Sequence, residues 1–195
     1  MDCEDPLFIK HLAMKRQVIL FDGPGVGRSG GQIPSSPKES AEYLAEFVKS
    51  LGFSKVDIWA FSMGGCTAQM VALNHPDLVH HLILCGSLPS IGPGITPPPP
   101  APFRPYRNAA TFEEQEKAFK EGCFPSSTEG RQAAEAAWQR TFNQGGGAGA
   151  FVDIEGGRRQ FTAFARFMNP DHAGDGSFNR LHELQMPVLI MRDKS

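Results

Sequence analysis

The sequence predicts an α/β protein with a mostly parallel sheet and flanking helices. Three observations predict this class: short apolar runs alternate with helical stretches, these stretches carry capping signals, and a serine lies at a sharp strand-to-helix corner. Strand, helix, strand, helix, strand at this spacing favours parallel pairing with right-handed crossovers. The 195 residues are enough for one domain with a sizeable core.

Four apolar runs are predicted as strands, at 17–21, 55–60, 81–85 and 187–191. Continuous apolar runs of this kind are typical of strands that are buried on both faces of a sheet. A capping box at 36–39, with proline at the first helical position, predicts a helix that ends at Gly52. The strand at 55–60 leads through the serine corner into a helix over 66–74, which ends at His75-Pro76.

The character of the sequence changes after residue 90. Four consecutive prolines, 97–100, predict a stiff extended loop. Three helical stretches follow, at 111–122, 126–142 and 158–168, the first with a capping box and the second with three glycines, 145–147, beyond its end.

The serine corner has the sequence AFSMGG, residues 60–65. The small residues Ala60 and Gly64 are expected to let strand and helix approach closely. The hydroxyl of Ser62 then stands clear of the sheet, and the backbone amide of Met63 points to where an oxyanion would form. The alternative interpretation is an ordinary helix-start serine in another doubly wound domain.

A second motif is the glycine-rich loop that follows the run at 17–21. Gly25, Gly27 and Gly30 match the dinucleotide fingerprint G-x-G-x-x-G. A Rossmann loop opens directly into a helix, whereas prolines delay the helix here. The alternative is a structural turn whose glycines adopt angles closed to other residues and whose backbone is held by the Asp22 carboxylate. We predict no cofactor, with dinucleotide binding as the open alternative.

Composition restricts the partners. The formal net charge is −2 and no basic stripe is present, so we predict no nucleic acid and no membrane as a partner. The four cysteines are dispersed and no histidine pair has helical ligand spacing, so we predict no metal site. The N-terminal residues lack the apolar core of a secretory signal, and we predict a cytoplasmic protein.

Residues 16–90 resemble α/β-hydrolase fold proteins. The loop DGPGVGRS, the elbow AFSMGG and the segment NHPDLVHHLIL occur in the same order in that family, and LHELQMPVLIM is similar to its strand after the lid. The elbow is similar to those of esterases, cofactor-free haloperoxidase-like perhydrolases and carbon–carbon bond hydrolases of this fold. The resemblance implies a partial α/β-hydrolase fold: an incomplete core, 1–90 with 181–195, and a helical cap insertion, 91–180.

The resemblance also implies catalytic roles. Ser62 would be the nucleophile and Met63 would supply an oxyanion amide, in acyl transfer that needs no cofactor. The family's acid normally follows the strand at 187–191, where Asp193 is the local candidate, and its histidine comes later, where this chain has none. An early His-Gly that supplies the second oxyanion amide is also missing, so the resemblance implies a chain truncated at both ends.

We therefore predict a serine hydrolase acting on an ester, thioester or lactone of a small hydrophobic molecule, impaired by missing triad members. The competing hypothesis is a non-catalytic remnant that acts as a binding module and self-associates through an exposed sheet edge. The six histidines are expected to be structural rather than a base for Ser62. Aromatic residues of the predicted cap are expected to form its core in preference to a pocket lining: Phe112, Phe119, Trp138, Phe161 and Phe164.

Overall fold

The computed structural model describes residues 4–94, 109, 111–143 and 152–192. The chain forms two compact units, Met1–Gln32 with Pro99–Arg158, and Ile33–Pro98 with Arg159–Ser195. The prolines at 97–100 and the glycines at 145–147 lie outside the described residues. The assignment of 91–180 to a cap stays a prediction.

Six helices and three strands make up the regular structure of the described residues. In chain order they are α1 (Pro6–Ala13), α2 (Pro37–Ser50), β1 (Val56–Phe61), α3 (Gly64–Asn74), β2 (Val79–Cys85), α4 (Phe112–Cys123), α5 (Thr128–Trp138), α6 (Ile154–Phe167) and β3 (Val188–Met191). A π-helical turn, Gln139–Asn143, continues α5, and 3-10 turns lie at Pro76–Leu78, Pro170–Asp175 and Leu181–Glu183.

The second unit contains a parallel sheet with the strand order β1-β2-β3. Phe61 pairs with Cys85 and Cys85 with Met191, so the three strands end at one level. Three of the four predicted strands are confirmed, with ends shifted by one or two residues. Alternate residues of β2, including Leu82 and Leu84, are buried in the core.

The remaining prediction, a strand at 17–21, is wrong. These residues are irregular, and no described strand belongs to the unit that contains them. A strand needs a neighbouring strand to pair its amides and carbonyls, and apolar composition alone cannot supply one. Leu20 is accordingly 42% exposed.

Helix α2 packs on α3 in the second unit through an apolar face, in which Ala41 and Ala45 are fully buried. Its N-cap is Ser36, whose Oγ accepts from the amide of Glu39 at 3.1 Å. The reciprocal half of the predicted capping box is shifted by one residue. The Glu39 carboxylate accepts from the amide and hydroxyl of Ser35, at 2.8 and 2.9 Å.

Helix α3 is the central helix of the second unit, which contains the sheet and is called the sheet unit below. Eight of its 11 residues are buried, so it is apolar on nearly every side rather than amphipathic. It ends at Asn74, as the His75-Pro76 pair predicts, and a 3-10 turn then leads into β2. Helix α3 thus connects the parallel strands β1 and β2.

The first unit contains a cluster of aromatic side chains in tilted and edge-to-face contact. Trp138 is 2% exposed, and its ring centroid lies 4.0 Å from that of Phe142 and 5.1 Å from that of Phe112. Phe119 completes the cluster, at 5.5 Å from Trp138. In the second unit Phe164 packs against the sheet core. Four of the five aromatics predicted to form a core thus pack against other apolar side chains of their own unit: Phe112, Phe119, Trp138 and Phe164. The predicted capping box at Thr111, which begins α4, is present.

No helix within the described residues is both long and apolar enough to cross a bilayer.

Candidate active site

Ser62 directly follows β1 and has a backbone φ of +51°. Its amide donates to the carbonyl of Cys85, at 2.8 Å, which holds the turn against the end of β2. In the described residues only one other non-glycine residue, Asn179, has positive φ. The left-handed region costs about 1–2 kcal/mol for a residue with a Cβ, and such strain is concentrated at functional sites. The sharp bend that the sequence predicts is therefore present.

The turn leads at once into helix α3. Gly65 N donates to Ser62 O at 3.0 Å, and Cys66 N donates to Met63 O at 3.1 Å. Within this unit no described group accepts from the amide of Met63. A helix start carries unpaired amides and a partial positive charge. The amide of Met63 is thus available to an oxyanion beside the Ser62 hydroxyl.

The close approach at this corner depends on Gly65, not on Gly64 as predicted. A Cβ added to Gly64 meets no atom within 4 Å among the described residues. A Cβ added to Gly65 would lie 2.2 Å from the Oγ and 2.5 Å from the Cβ of Ser87, which follows β2. No local sequence pattern predicts this contact, because Ser87 lies in the loop after the next strand.

The Ser62 side chain is half-buried, and no described side chain of its unit hydrogen-bonds to its Oγ. The thiol of Cys66 lies four residues further along the chain, in α3. Burial raises the pKa of Cys66 to about 12, so it stays a neutral thiol at neutral pH. Of these two nucleophilic side chains, only the serine is accessible.

His80 and His81 lie at the wrong end of the sheet to assist Ser62. Both rings contact Asp57 in β1, and the hydrogen bond from His81 lowers the pKa of this carboxyl. Asp57 precedes Ser62 by five residues of extended chain, which span about 16 Å. A general base must lie within hydrogen-bond reach of the hydroxyl.

The other histidines are also engaged elsewhere or placed in turns. His75 pairs with Glu42 at 3.0 Å beyond the far end of α3, and His11 Nδ1 lies 2.7 Å from the carbonyl of Leu7 in α1. His172 and His182 lie in 3-10 turns. None of the five histidines of the sheet unit hydrogen-bonds to Ser62, and the acid candidate Asp193 lies outside the described residues.

The glycine-rich loop closes on itself in the first unit. Gly25 N donates to Gly30 O at 3.1 Å, and Ser29 Oγ donates to the carbonyl of Asp22 at 2.7 Å. At Gly27, where φ is +56°, a Cβ would lie 2.6 Å from Asp22 Oδ2. The loop therefore folds tightly over the aspartate carboxylate. Because α2 begins only at Pro37, the loop does not present a helix start to a pyrophosphate.

The family model for the alpha/beta hydrolase fold matches residues 2–152. This match covers more than half of the chain. The chain belongs to the alpha/beta hydrolase fold family.

Two curated relatives of this family member have names that refer to ester and carbamate hydrolysis. Over 91 residues the chain is 34% identical to a pimeloyl-[acyl-carrier protein] methyl ester esterase of Aeromonas hydrophila. This alignment covers 44% of the chain and 35% of that protein. Over 77 residues it is 35% identical to the putative carbamate hydrolase RutD of Azorhizobium caulinodans, covering 39% of the chain and 29% of that protein. The chain thus matches about a third of the length of these relatives.

Solved structures agree on the fold. An alpha/beta hydrolase fold protein from Chitinophaga pinensis superposes with a TM-score of 0.73 at 24% identity, over 97% of this chain and 65% of that one. Est816, an N-acyl homoserine lactone degrading enzyme, superposes with a TM-score of 0.64 at 21% identity, over 97% of this chain and 70% of that one. The predicted fold class, a partial α/β-hydrolase fold, is confirmed.

The strain at Ser62 has a measurable consequence. We expect Ser62→Gly to be more stable than Ser62→Ala by about 1 kcal/mol, because glycine adopts positive φ without a Cβ penalty. Urea unfolding of the two variants measures this difference. Both variants lack the Ser62 hydroxyl, so the comparison reports only the effect of the Cβ. Equal midpoints and slopes would show that the bend at Ser62 is not strained.

Proposed function

We propose that Ser62 is the nucleophile of a serine hydrolase that acts on an ester, thioester or lactone of a small hydrophobic molecule. The observation that carries this proposal is the positive φ of Ser62 between β1 and α3. The chain's membership of a hydrolase family supports it further. The names of the curated relatives, a methyl ester esterase and a carbamate hydrolase, support an acyl substrate.

In the proposed reaction Ser62 Oγ attacks the substrate carbonyl carbon and loses its proton to a base. The carbonyl oxygen becomes an oxyanion that accepts a hydrogen bond from the amide of Met63. The alcohol or thiol leaves with a proton, and water then hydrolyses the acyl-serine. Asp193 is the proposed acid, and no histidine is assigned as the base.

A fluorophosphonate probe tests this proposal. The probe forms a covalent bond with an activated serine hydroxyl, so the wild-type chain should be labelled and Ser62→Ala should not be. Ser54→Ala is the matched control, because Ser54 is exposed and precedes the same strand. We expect Ser54→Ala to be labelled like the wild type. Equal labelling of wild type and Ser62→Ala, in chains with the same circular dichroism, would refute the nucleophile.

A second candidate function, a non-catalytic binding module, is favoured by the edge strand β3. Its four side chains are 38–69% exposed, and they are all large and apolar. An open apolar edge strand is a surface for pairing with another chain. As the alternative, we propose that the chain self-associates through β3. The chain would then be folded, would not be labelled by the probe, and would form dimers. Analytical ultracentrifugation should show that Ile190→Lys disrupts these dimers.

We also propose the helical stretches of 91–180 as a cap over the substrate site, and the cytoplasm as the protein's compartment. Both proposals rest on sequence. Within this range the aromatic cluster of α4 and α5 supports a stable helical subdomain, because its rings bury each other.

A further inference from the structure

Two imidazoles and a carboxylate converge at the start of strands β1 and β2. His81 Nδ1 lies 2.7 Å and His80 Nδ1 lies 3.1 Å from the same oxygen, Oδ1 of Asp57. One ligand atom from each of the three residues lies within 4.8 Å of the other two. Neither the proposed hydrolysis nor the family match assigns a role to this group.

The backbone of the sheet creates this cluster. Adjacent residues of a regular strand point to opposite faces, so His80 and His81 would ordinarily be separated by the sheet. Here the pairing shifts: Val56 lies opposite Val79, whereas Asp57 lies opposite His81. The register shift leaves His80 as an extra residue, and its ring centroid is 3.9 Å from that of His81. Bulges of this kind re-aim side chains and are frequent beside functional sites.

From this geometry we propose that Asp57, His80 and His81 bind a divalent transition-metal ion of the borderline class, such as Zn²⁺, Co²⁺ or Ni²⁺. Bonds of about 2.0–2.1 Å to nitrogen and oxygen place tetrahedral ligand atoms about 3.3 Å apart. The two distances to Asp57 Oδ1, 2.7 and 3.1 Å, are close to this spacing, and one ring nitrogen of each histidine lies within 4.8 Å of the other. Rotation of the exposed imidazoles brings the three ligand atoms to the required spacing. The ion replaces the hydrogen bonds between the rings and the carboxylate.

The donor set selects the ion. Two imidazole nitrogens with one carboxylate oxygen favour Zn²⁺, Co²⁺ and Ni²⁺ over Mg²⁺ and Ca²⁺, which prefer oxygen ligands throughout. The side chains of Asp57, His80 and His81 are 30%, 61% and 43% exposed. Solvent therefore reaches the cluster, and water completes the coordination shell. Sequence spacing gives no signal of this site, since the histidines are adjacent and the carboxylate lies 23 residues earlier.

The bound ion would join the beginnings of β1 and β2, about 16 Å of strand away from Ser62. Its place at the opposite end of the strand separates it from the proposed acyl transfer. The proposal is therefore independent of the function of Ser62, and probe labelling of Ser62 does not test it.

Direct metal titration tests the site. Chelator-treated, tag-free chain is titrated with Co²⁺, followed by visible absorption, and the Co²⁺ is then displaced with Zn²⁺. We expect one ion per chain, d–d bands of a nitrogen and oxygen site, and at least tenfold weaker binding in Asp57→Asn and in His81→Asn. His75→Asn is the matched control, because His75 pairs with a carboxylate, Glu42, without a second histidine, and it should bind like the wild type.

Three results would overturn the proposal: no binding of Co²⁺ or Zn²⁺ to the wild type, wild-type affinity in a folded His81→Asn variant, or a thiolate charge-transfer band that assigns the ion to a cysteine. A measurement without mutation covers the case in which a variant unfolds. Co²⁺ should broaden the backbone amide NMR signals most strongly at and immediately around residues 57, 80 and 81. The strongest broadening in another part of the chain would place the ion at a different site.

Discussion

Replacing Gly65 by alanine is expected to lower the free energy of unfolding by about 2–4 kcal/mol. The new methyl group would lie 2.2 Å from Ser87 Oγ and 2.5 Å from Ser87 Cβ. Rotation of the serine side chain moves its Oγ but not its Cβ. The loop after β2 must therefore move away from α3. Urea unfolding of wild type and variant measures the loss.

Substitutions at Ser87 distinguish this collision from a general effect of alanine. Ser87→Gly removes both colliding atoms, after which the next atom, Leu84 Cδ2, is 3.5 Å from the new methyl group. We expect this second change to restore most of the lost stability, and Ser87→Ala to restore little because it keeps the Cβ. Gly64→Ala, with no atom within 4 Å, should be close to neutral. Equal effects of alanine at positions 64 and 65 would contradict the steric explanation.

The sheet and its helices were predictable because local signals agreed with tertiary packing. Helix α3 follows its strand within three residues, and it ends directly before the His75-Pro76 pair. The apolar run at 17–21 shows where such reasoning fails. Its composition is that of a buried strand, but strand formation also requires a partner, and the partner is a non-local property of the fold.

The candidate site was predictable in kind but not in detail. The sequence around Ser62 predicts the bend, since few environments place a serine between small residues at such a corner. It does not reveal that Gly65 packs on Ser87, or that Asp57 meets His80 and His81. Both contacts join β1 or α3 to residues of the β2 segment, and their geometry depends on strand register, which single-sequence patterns do not specify.

A buried polar side chain joins α3 to two segments distant in sequence. Gln69 is 2% exposed, and its Nε2 donates to the carbonyls of Gly65 and Leu88, at 3.1 and 3.0 Å. Its Oε1 accepts from Ser177 Oγ at 2.9 Å, and this hydroxyl in turn accepts from the amide of Ser90 at 3.0 Å. The amide group thus holds the loop after β2 and the segment around Ser177 against the helix that begins at the serine corner.

We expect Gln69→Leu to lower the free energy of unfolding by about 2–4 kcal/mol, although leucine has a similar volume and is apolar. The substitution leaves the buried Ser177 hydroxyl without its acceptor, and the Leu88 carbonyl keeps only the weak thiol donor of Cys66, at 3.9 Å. Each unsatisfied buried group costs about 1–3 kcal/mol. Urea unfolding measures the total. Leucine and glutamine have similar helix propensities, so the loss reports the hydrogen bonds and not the helix itself.

The double variant with Ser177→Ala shows whether these bonds act as one network. Once Gln69 is leucine, the Ser177 hydroxyl has lost its acceptor, so removing it should cost less than in the wild type. We expect a coupling energy of about 1 kcal/mol or more, because residues that share one hydrogen-bond network are not additive. If the two losses simply add, Gln69 stabilises the unit through its packing, and α3 is not tied to Ser177 through hydrogen bonds.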